Sequence, residues 1–154
     1  DGGQRPDVAV LAYGTTVVDA VDAAAKAGEM GRRVAVYDAR FAKPVDRGVI
    51  RSLLAGGVPV VTVEDHSVIG GFGACVLEAA QEMGLDASRV TRLGLPDDWI
   101  RQNSRSSQLN QAGIDAAGIG AALAAIFADS DAGERDAPVV ESRPLGRGSA
   151  SPTG

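Results

Sequence analysis

The chain has 154 residues, a formal net charge of −5, and 45% hydrophobic and 23% charged residues, which suits one globular domain with a sizeable core. The acidic balance gives no whole-chain footprint for a polyanion, and aromatics at 4% argue against a base-stacking platform, so nucleic acid is not an expected partner. One cysteine cannot close an internal disulfide, and one Cys with one His cannot build a structural zinc site, so no metal is expected here.

The opening "DGGQRPDVAV" lacks a Met and reads as a linker (residues 1–6) entering a domain, so the chain is expected to be a piece of something longer. Val8 to Ala12 is a short, Val-rich, uninterrupted run, as in a strand covered on both faces. Thr15 or Thr16 then caps a helix whose Val17, Val18, Val21, Ala24 and Ala25 recur at helical spacing, with Gly28 as its stop. "RVAVYDA" is a second strand, and Pro44 and Asp46 start a short helix that runs through Ile50 and Leu54 to Gly56. "PVVTVE" is a third strand, 73–83 a third helix and "RVTRLGL" a fourth strand. After "PDDWIRQNS" come a short helix at 106–112 and a last one at 115–128. Strands alternating with helices at this spacing predict an α/β fold: a three-layer domain of βαβ units with a parallel sheet, spanning residues 7–129. From Ser130 to Gly154 the composition turns to Gly, Pro, Ser and charge, which predicts a disordered tail. No apolar run approaches the roughly 20 residues that span a bilayer, so no membrane is expected as a partner.

In a parallel sheet the loops after the strands gather at the carboxyl edge, where ligands and partners meet the domain. Four loops converge there: "YGTT", "DARFAKPVD", "EDHSVIGGFG" and "LPDDWIRQNS". Gly70, Gly71 and Gly73 precede a helix, so their N–H groups could line an anion site. Their spacing matches neither the dinucleotide fingerprint nor a P-loop, and the blander reading is that they permit positive φ and close helix–strand packing. His66 follows Glu64 and Asp65, which could hold an imidazole as a general base is held; without a nucleophile it reads as a hydrogen-bonding loop residue. Cys75 lies in a first helical turn, where a thiol can be activated, but its apolar neighbours suit a small core residue. Arg40 and Lys43, flanked by Asp38 and Asp46, could bind an anion; pairing among themselves is the simpler account. Trp99 beside Ile100 suits a protein contact or a core cap, while Arg101 and Arg105 read as solvated bases. No catalytic or cofactor-binding set emerges. Asp38, Arg40, Lys43, Glu64, His66, Gly70, Gly71, Gly73 and Trp99 stand as candidate loop-face or interface residues.

The order of "VAVLAYGTTVVDAVDAA", "VYDARFAKPVD", "VVTVEDHSVIGGFGACVLEA" and "RLGLPDDWIRQNSRSSQLNQAGIDAAGI" resembles the C-terminal domain of the 1-deoxy-D-xylulose-5-phosphate synthases, which are transketolase-like thiamine-diphosphate enzymes. The match covers 7–128, and its most specific parts are Asp38 to Asp46 and Val63 to Gly73. Asn103 stands where the family commonly has Gly, and the segment from Ser130 has no counterpart. The resemblance implies a transketolase C-terminal-like fold. It also implies a homodimeric enzyme that joins pyruvate and glyceraldehyde 3-phosphate with loss of CO2, at the entry to the non-mevalonate isoprenoid pathway; the cytoplasm is expected separately, from the absence of a disulfide framework. Its thiamine diphosphate and Mg2+ are held by domains that precede this one, so the segment by itself is expected to bind neither and to be inert. Its expected partners are the rest of the same enzyme chain and a second identical subunit. The corresponding domain of a pyruvate dehydrogenase β-type enzyme, or a stand-alone module binding an anion or a protein, are the alternatives.

Overall fold

In a computed structural model, which describes residues 5–135, four strands alternate with helices before two final helices close the chain. The order is β1 (Val8–Tyr13), α1 (Thr16–Glu29), β2 (Val34–Asp38), α2 (Arg47–Ala55), β3 (Val60–Ser67), α3 (Phe72–Glu82), β4 (Val90–Leu95), α4 (Arg105–Ala112) and α5 (Ala116–Arg135). The strands form one all-parallel sheet in the order β2-β1-β3-β4. The expected α/β architecture is the one observed.

Period-two alternation sorts the apolar side chains of each strand between two layers. Val8, Val10 and Ala12 of β1 join Val61 and Val63 of β3 in a core with Ala20, Ala23 and Ala27 of α1 and Ile119, Leu123 and Phe127 of α5. Ala9 and Leu11 face the other way and pack with Val60, with Ile50, Leu53 and Leu54 of α2 and with Phe72, Val76 and Ala79 of α3. Strands buried on both faces read as continuous apolar runs, which is why β1 and β3 stand out in the sequence.

The structure corrects several element bounds. β3 runs on to Ser67, because Val68 N–H reaches the Leu95 carbonyl and the β3–β4 ladder resumes after an irregularity between Val63 and Ser67. Pro44 lies outside α2, behind a cis peptide bond, and the helix starts at Arg47 with Asp46 as its cap. α1 passes through Gly28, and the left-handed residue that ends it is Gly31 at φ 78°, with Arg32 N–H returning to the Ala27 carbonyl. α5 continues past Ser130 to Arg135, so the expected tail starts too early; the rest of that segment lies outside the described residues. The cause is tertiary: Asp131 pairs with Arg32 at 2.5 Å, and the Arg32 guanidinium sits over the Phe127 ring at 4.9 Å. The segment 105–132 is long and apolar enough to cross a membrane by length and composition alone, a test that the core helix of a globular domain also passes. Here Ile114, Ile119, Leu123 and Phe127 from this segment are buried in the core of the domain.

Candidate functional site: the strand-to-helix joint at the carboxyl edge

β3 carries Val60, Val61, Thr62 and Val63 through the middle of the sheet and delivers Glu64 to its carboxyl end on the α3 side, with 1% of its surface exposed. A carboxylate this deep requires partners. Its two oxygens accept the first N–H groups of α3: Phe72 N–H at 2.6 Å to Oε2 and Gly73 N–H at 2.9 Å to Oε1. These are orphan donors at the positive end of the helix, where a bound anion would otherwise sit. The anion site suggested by the glycine loop therefore exists, and the chain's own side chain fills it.

The glycines make room for that carboxylate. Gly70 has φ 71°, in the left-handed region that glycine enters without strain. A Cβ on Gly71 would stand 2.2 Å from both Glu64 Oε2 and the Ser67 carbonyl. One on Gly73 would stand 2.6 Å from Thr62 Oγ1, and one on Gly94 would stand 2.9 Å from the His66 carbonyl and 3.2 Å from Glu64 Cγ. The Thr62 hydroxyl is buried and has no hydrogen-bond partner among the described residues; it faces Gly73, with no space for a ligand. Sequence reasoning took Gly70, Gly71 and Gly73 as the joint and missed Gly94, whose close approach comes from β4 rather than from the loop.

Beside this joint the loops are tied together. Arg105 at the start of α4 donates to Asp65 and, at 3.0 Å, to the Thr15 hydroxyl after β1. Arg105 is thus a cross-link between three segments, not a solvated base. The Thr16 hydroxyl, also buried, donates toward the Tyr13 carbonyl at 3.0 Å and the Val63 carbonyl at 3.2 Å, joining the ends of β1 and β3. Thr15 precedes α1 without a side-chain cap bond. Ser104 caps α4 by accepting from Ser107 N–H.

His66 does not form a base with its neighbours. It is exposed at the penultimate position of β3, Glu64 is committed to α3 and Asp65 to Arg105, so neither adjacent carboxylate holds the imidazole. Cys75 is half-buried in α3, its N–H bonded to the Gly71 carbonyl. The four charges of "DARFAKPVD" do not pair as a set. Arg40 Nε lies 3.5 Å from Asp38, Asp46 accepts Gly48 and Val49 N–H groups as the α2 cap, and Lys43 makes no ion pair among the described residues. Trp99 is 94% exposed in the loop after β4, so it caps no core, and Phe41 and Ile69 are exposed in the loops after β2 and β3. Among the described residues no group of three or more His, Cys, Asp and Glu could hold a metal ion, and the α3 amides that would seat a diphosphate are occupied by Glu64.

The fold and this joint define a parallel α/β domain whose carboxyl-edge loops present polar groups and exposed apolar side chains around an internally plugged helix terminus. The family description of the transketolase C-terminal domain matches residues 3–119, and the chain belongs to that family. It is 42% identical over 122 residues to "1-deoxy-D-xylulose-5-phosphate synthase 1" of Geobacter sulfurreducens, covering 79% of this chain and 19% of that protein. It is likewise 42% identical over 127 residues to the 1-deoxy-D-xylulose-5-phosphate synthase of an Anaeromyxobacter species, covering 81% of this chain and 20% of that protein. The chain thus spans about a fifth of the length of the curated relatives it matches. Among solved structures it is similar to a split-gene transketolase described as an inactive β4 tetramer, with TM-score 0.70 and 28% identity over 81% of this chain and 40% of that one. A transketolase from Pichia stipitis shares the fold, with TM-score 0.60 and 18% identity over 84% of this chain and 18% of that one.

Proposed function

We propose that this chain serves as the C-terminal domain of a 1-deoxy-D-xylulose-5-phosphate synthase and contributes to it by docking. In that enzyme, thiamine diphosphate with Mg2+ supplies the carbanion chemistry that joins pyruvate to glyceraldehyde 3-phosphate with loss of CO2. This segment's residues hold no part of that cofactor, and its domain boundaries fall near residues 7 and 129. The partners are the preceding part of the same enzyme chain and a second subunit, and the compartment is the cytoplasm.

The observation that carries the reading is Glu64, which closes the one helix terminus of the loop face that resembles a phosphate cradle. A loop face without a ligand seat there still displays Phe41 at 67%, Ile69 at 62% and Trp99 at 94% exposure among Arg40, Lys43 and His66. Aromatic and aliphatic groups within a polar rim are the composition of a protein contact. The similarity to a split-gene transketolase described as an inactive β4 tetramer supports the same division of labour.

The test is a chimaera in which the last fifth of the Geobacter sulfurreducens enzyme is replaced by this chain. The expected result is pyruvate- and glyceraldehyde 3-phosphate-dependent release of CO2 by the chimaera and none by this chain with cofactor, metal and both substrates. Turnover by the chain alone would overturn the inert-domain reading. A folded chimaera without activity, beside an active control carrying another synthase's C-terminal domain, would overturn the assignment to this enzyme.

A further inference from the structure

A crevice of about 190 Å3 opens on the α2–α3 side of the sheet, apart from the buried Glu64 carboxylate. Its walls are Leu11 of β1, Tyr37 of β2, Val49 and Ile50 of α2, and Phe72 and Val76 of α3. The charged groups among its lining residues are Asp38 and Asp46, both exposed and therefore at the mouth. Apolar space left open inside a domain lowers stability in proportion to its volume, and a dry apolar cavity of about 150 Å3 is large enough to take up benzene. The space here matches one ring with a short arm.

The mouth accepts hydrogen bonds and does not donate them from charged side chains. Asp46 uses Oδ1 for the Gly48 and Val49 N–H groups, while its Oδ2 accepts no bond among the described residues. Asp38 is held by its neighbour Arg40, whose N–H lies 3.1 Å from Oδ1 and whose Nε lies 3.5 Å from Oδ2. Arg40 itself has φ 54°, a conformation unfavourable for a residue with a side chain, so the loop bordering the crevice is held away from a relaxed geometry. Arg40 and Lys43 belong to the same loop but do not line the space.

We propose that this crevice is a binding site for a small amphipathic cation: a ring-sized apolar body seated between α2 and α3, with an ammonium head at Asp46 and Asp38. An anionic head on the same body is disfavoured chiefly by the open Asp46 Oδ2, since Asp38 is already held by Arg40.

The test uses the uniformly 15N-labelled 154-residue chain, titrated with benzylamine, benzyl alcohol and benzoate at pH 7. Benzylamine is expected to shift the amide signals of Leu11, Tyr37, Val49, Ile50 and Val76 saturably, with a Kd of about 1 mM or tighter. Benzoate is expected to bind at least about tenfold more weakly, the margin of one charge-assisted hydrogen bond. Asp38→Asn with Asp46→Asn keeps an α2 cap, since Asn caps as well as Asp, and should erase that preference while the ring still binds. Val49→Phe should fill the space and abolish binding of all three probes. Absence of saturable shifts at these residues overturns the site. Benzoate binding as tightly as benzylamine, or an unchanged preference in the double Asn variant, overturns the assigned cation.

Discussion

Glu64→Gln removes one of the two acceptor oxygens at the start of α3 and turns an amide NH2 toward a backbone N–H. The Phe72 and Gly73 donors are both buried, at 2.6 Å and 2.9 Å from the carboxylate. A buried donor left without a partner costs about 1–3 kcal/mol, so the Gln variant should lose about that much and Glu64→Ala about twice it. The lower end agrees with the loss of up to about 2 kcal/mol seen when helix caps are removed. For a domain of this size each kcal/mol moves the midpoint by about 3–5 °C. Urea unfolding followed by far-ultraviolet circular dichroism gives the stability, and amide exchange at Phe72 and Gly73 localises the defect. Glu64→Ala also vacates a polar space at a helix N-terminus, so formate at high concentration should restore part of the loss by mass action. A Glu64→Gln protein within about 0.5 kcal/mol of the parent, with unchanged exchange at the two amides, would refute the reasoning.

Gly71→Ala should leave the chain largely unfolded or cost more than about 3 kcal/mol, because its Cβ would meet Glu64 Oε2 and the Ser67 carbonyl at 2.2 Å. Gly70→Ala, with φ 71° but open space around it, should cost only about 1–2 kcal/mol in the same urea titration. Asp46→Ala should lose about 1 kcal/mol and Asp46→Asn almost none, read by thermal melts. Asp7 is held below the ordinary carboxyl value of 3.8, first by the Arg33 backbone N–H and then by its guanidinium, and Asp115 likewise by the Asn110 amide and Gly118 N–H. A depressed carboxyl contributes stability above its unfolded pKa and loses it as pH falls through the folded value, so the domain should weaken below about pH 4. Melts of Asp7→Asn and Asp115→Asn between about pH 5 and 2 should show a flatter decline than the parent.

What the sequence made legible was local. The buried strands announce themselves as unbroken Val-rich runs, and Asp46 two residues before Gly48 is a cap visible from chemistry alone. The partner of Glu64 was not legible. Whether a glycine-rich helix start binds a ligand or an internal carboxylate depends on which face of β3 residue 64 occupies, and adjacent Asp65 and His66 offered equally good polar company. Gly94 escaped notice because its crowding involves a neighbouring strand. Arg105 looked solvated because its partners lie 40 and 90 positions away in the chain. The overrun of α5 past Ser130 has the same origin: composition marks a tail, while Arg32 and Phe127 hold Asp131 in place.

The link from Arg105 to Thr15 and Asp65 has a kinetic corollary. Its donors and acceptors come together only after β1, β3 and α4 have found their places, and closing chain segments of 40 and 90 positions is entropically slow compared with forming a helical turn. The carboxyl-edge loops should therefore be the last part of the domain to organise during refolding, and the first to admit a protease when the domain breathes. Arg105→Ala, a surface change of little equilibrium consequence, should show itself as faster nicking within residues 96–104.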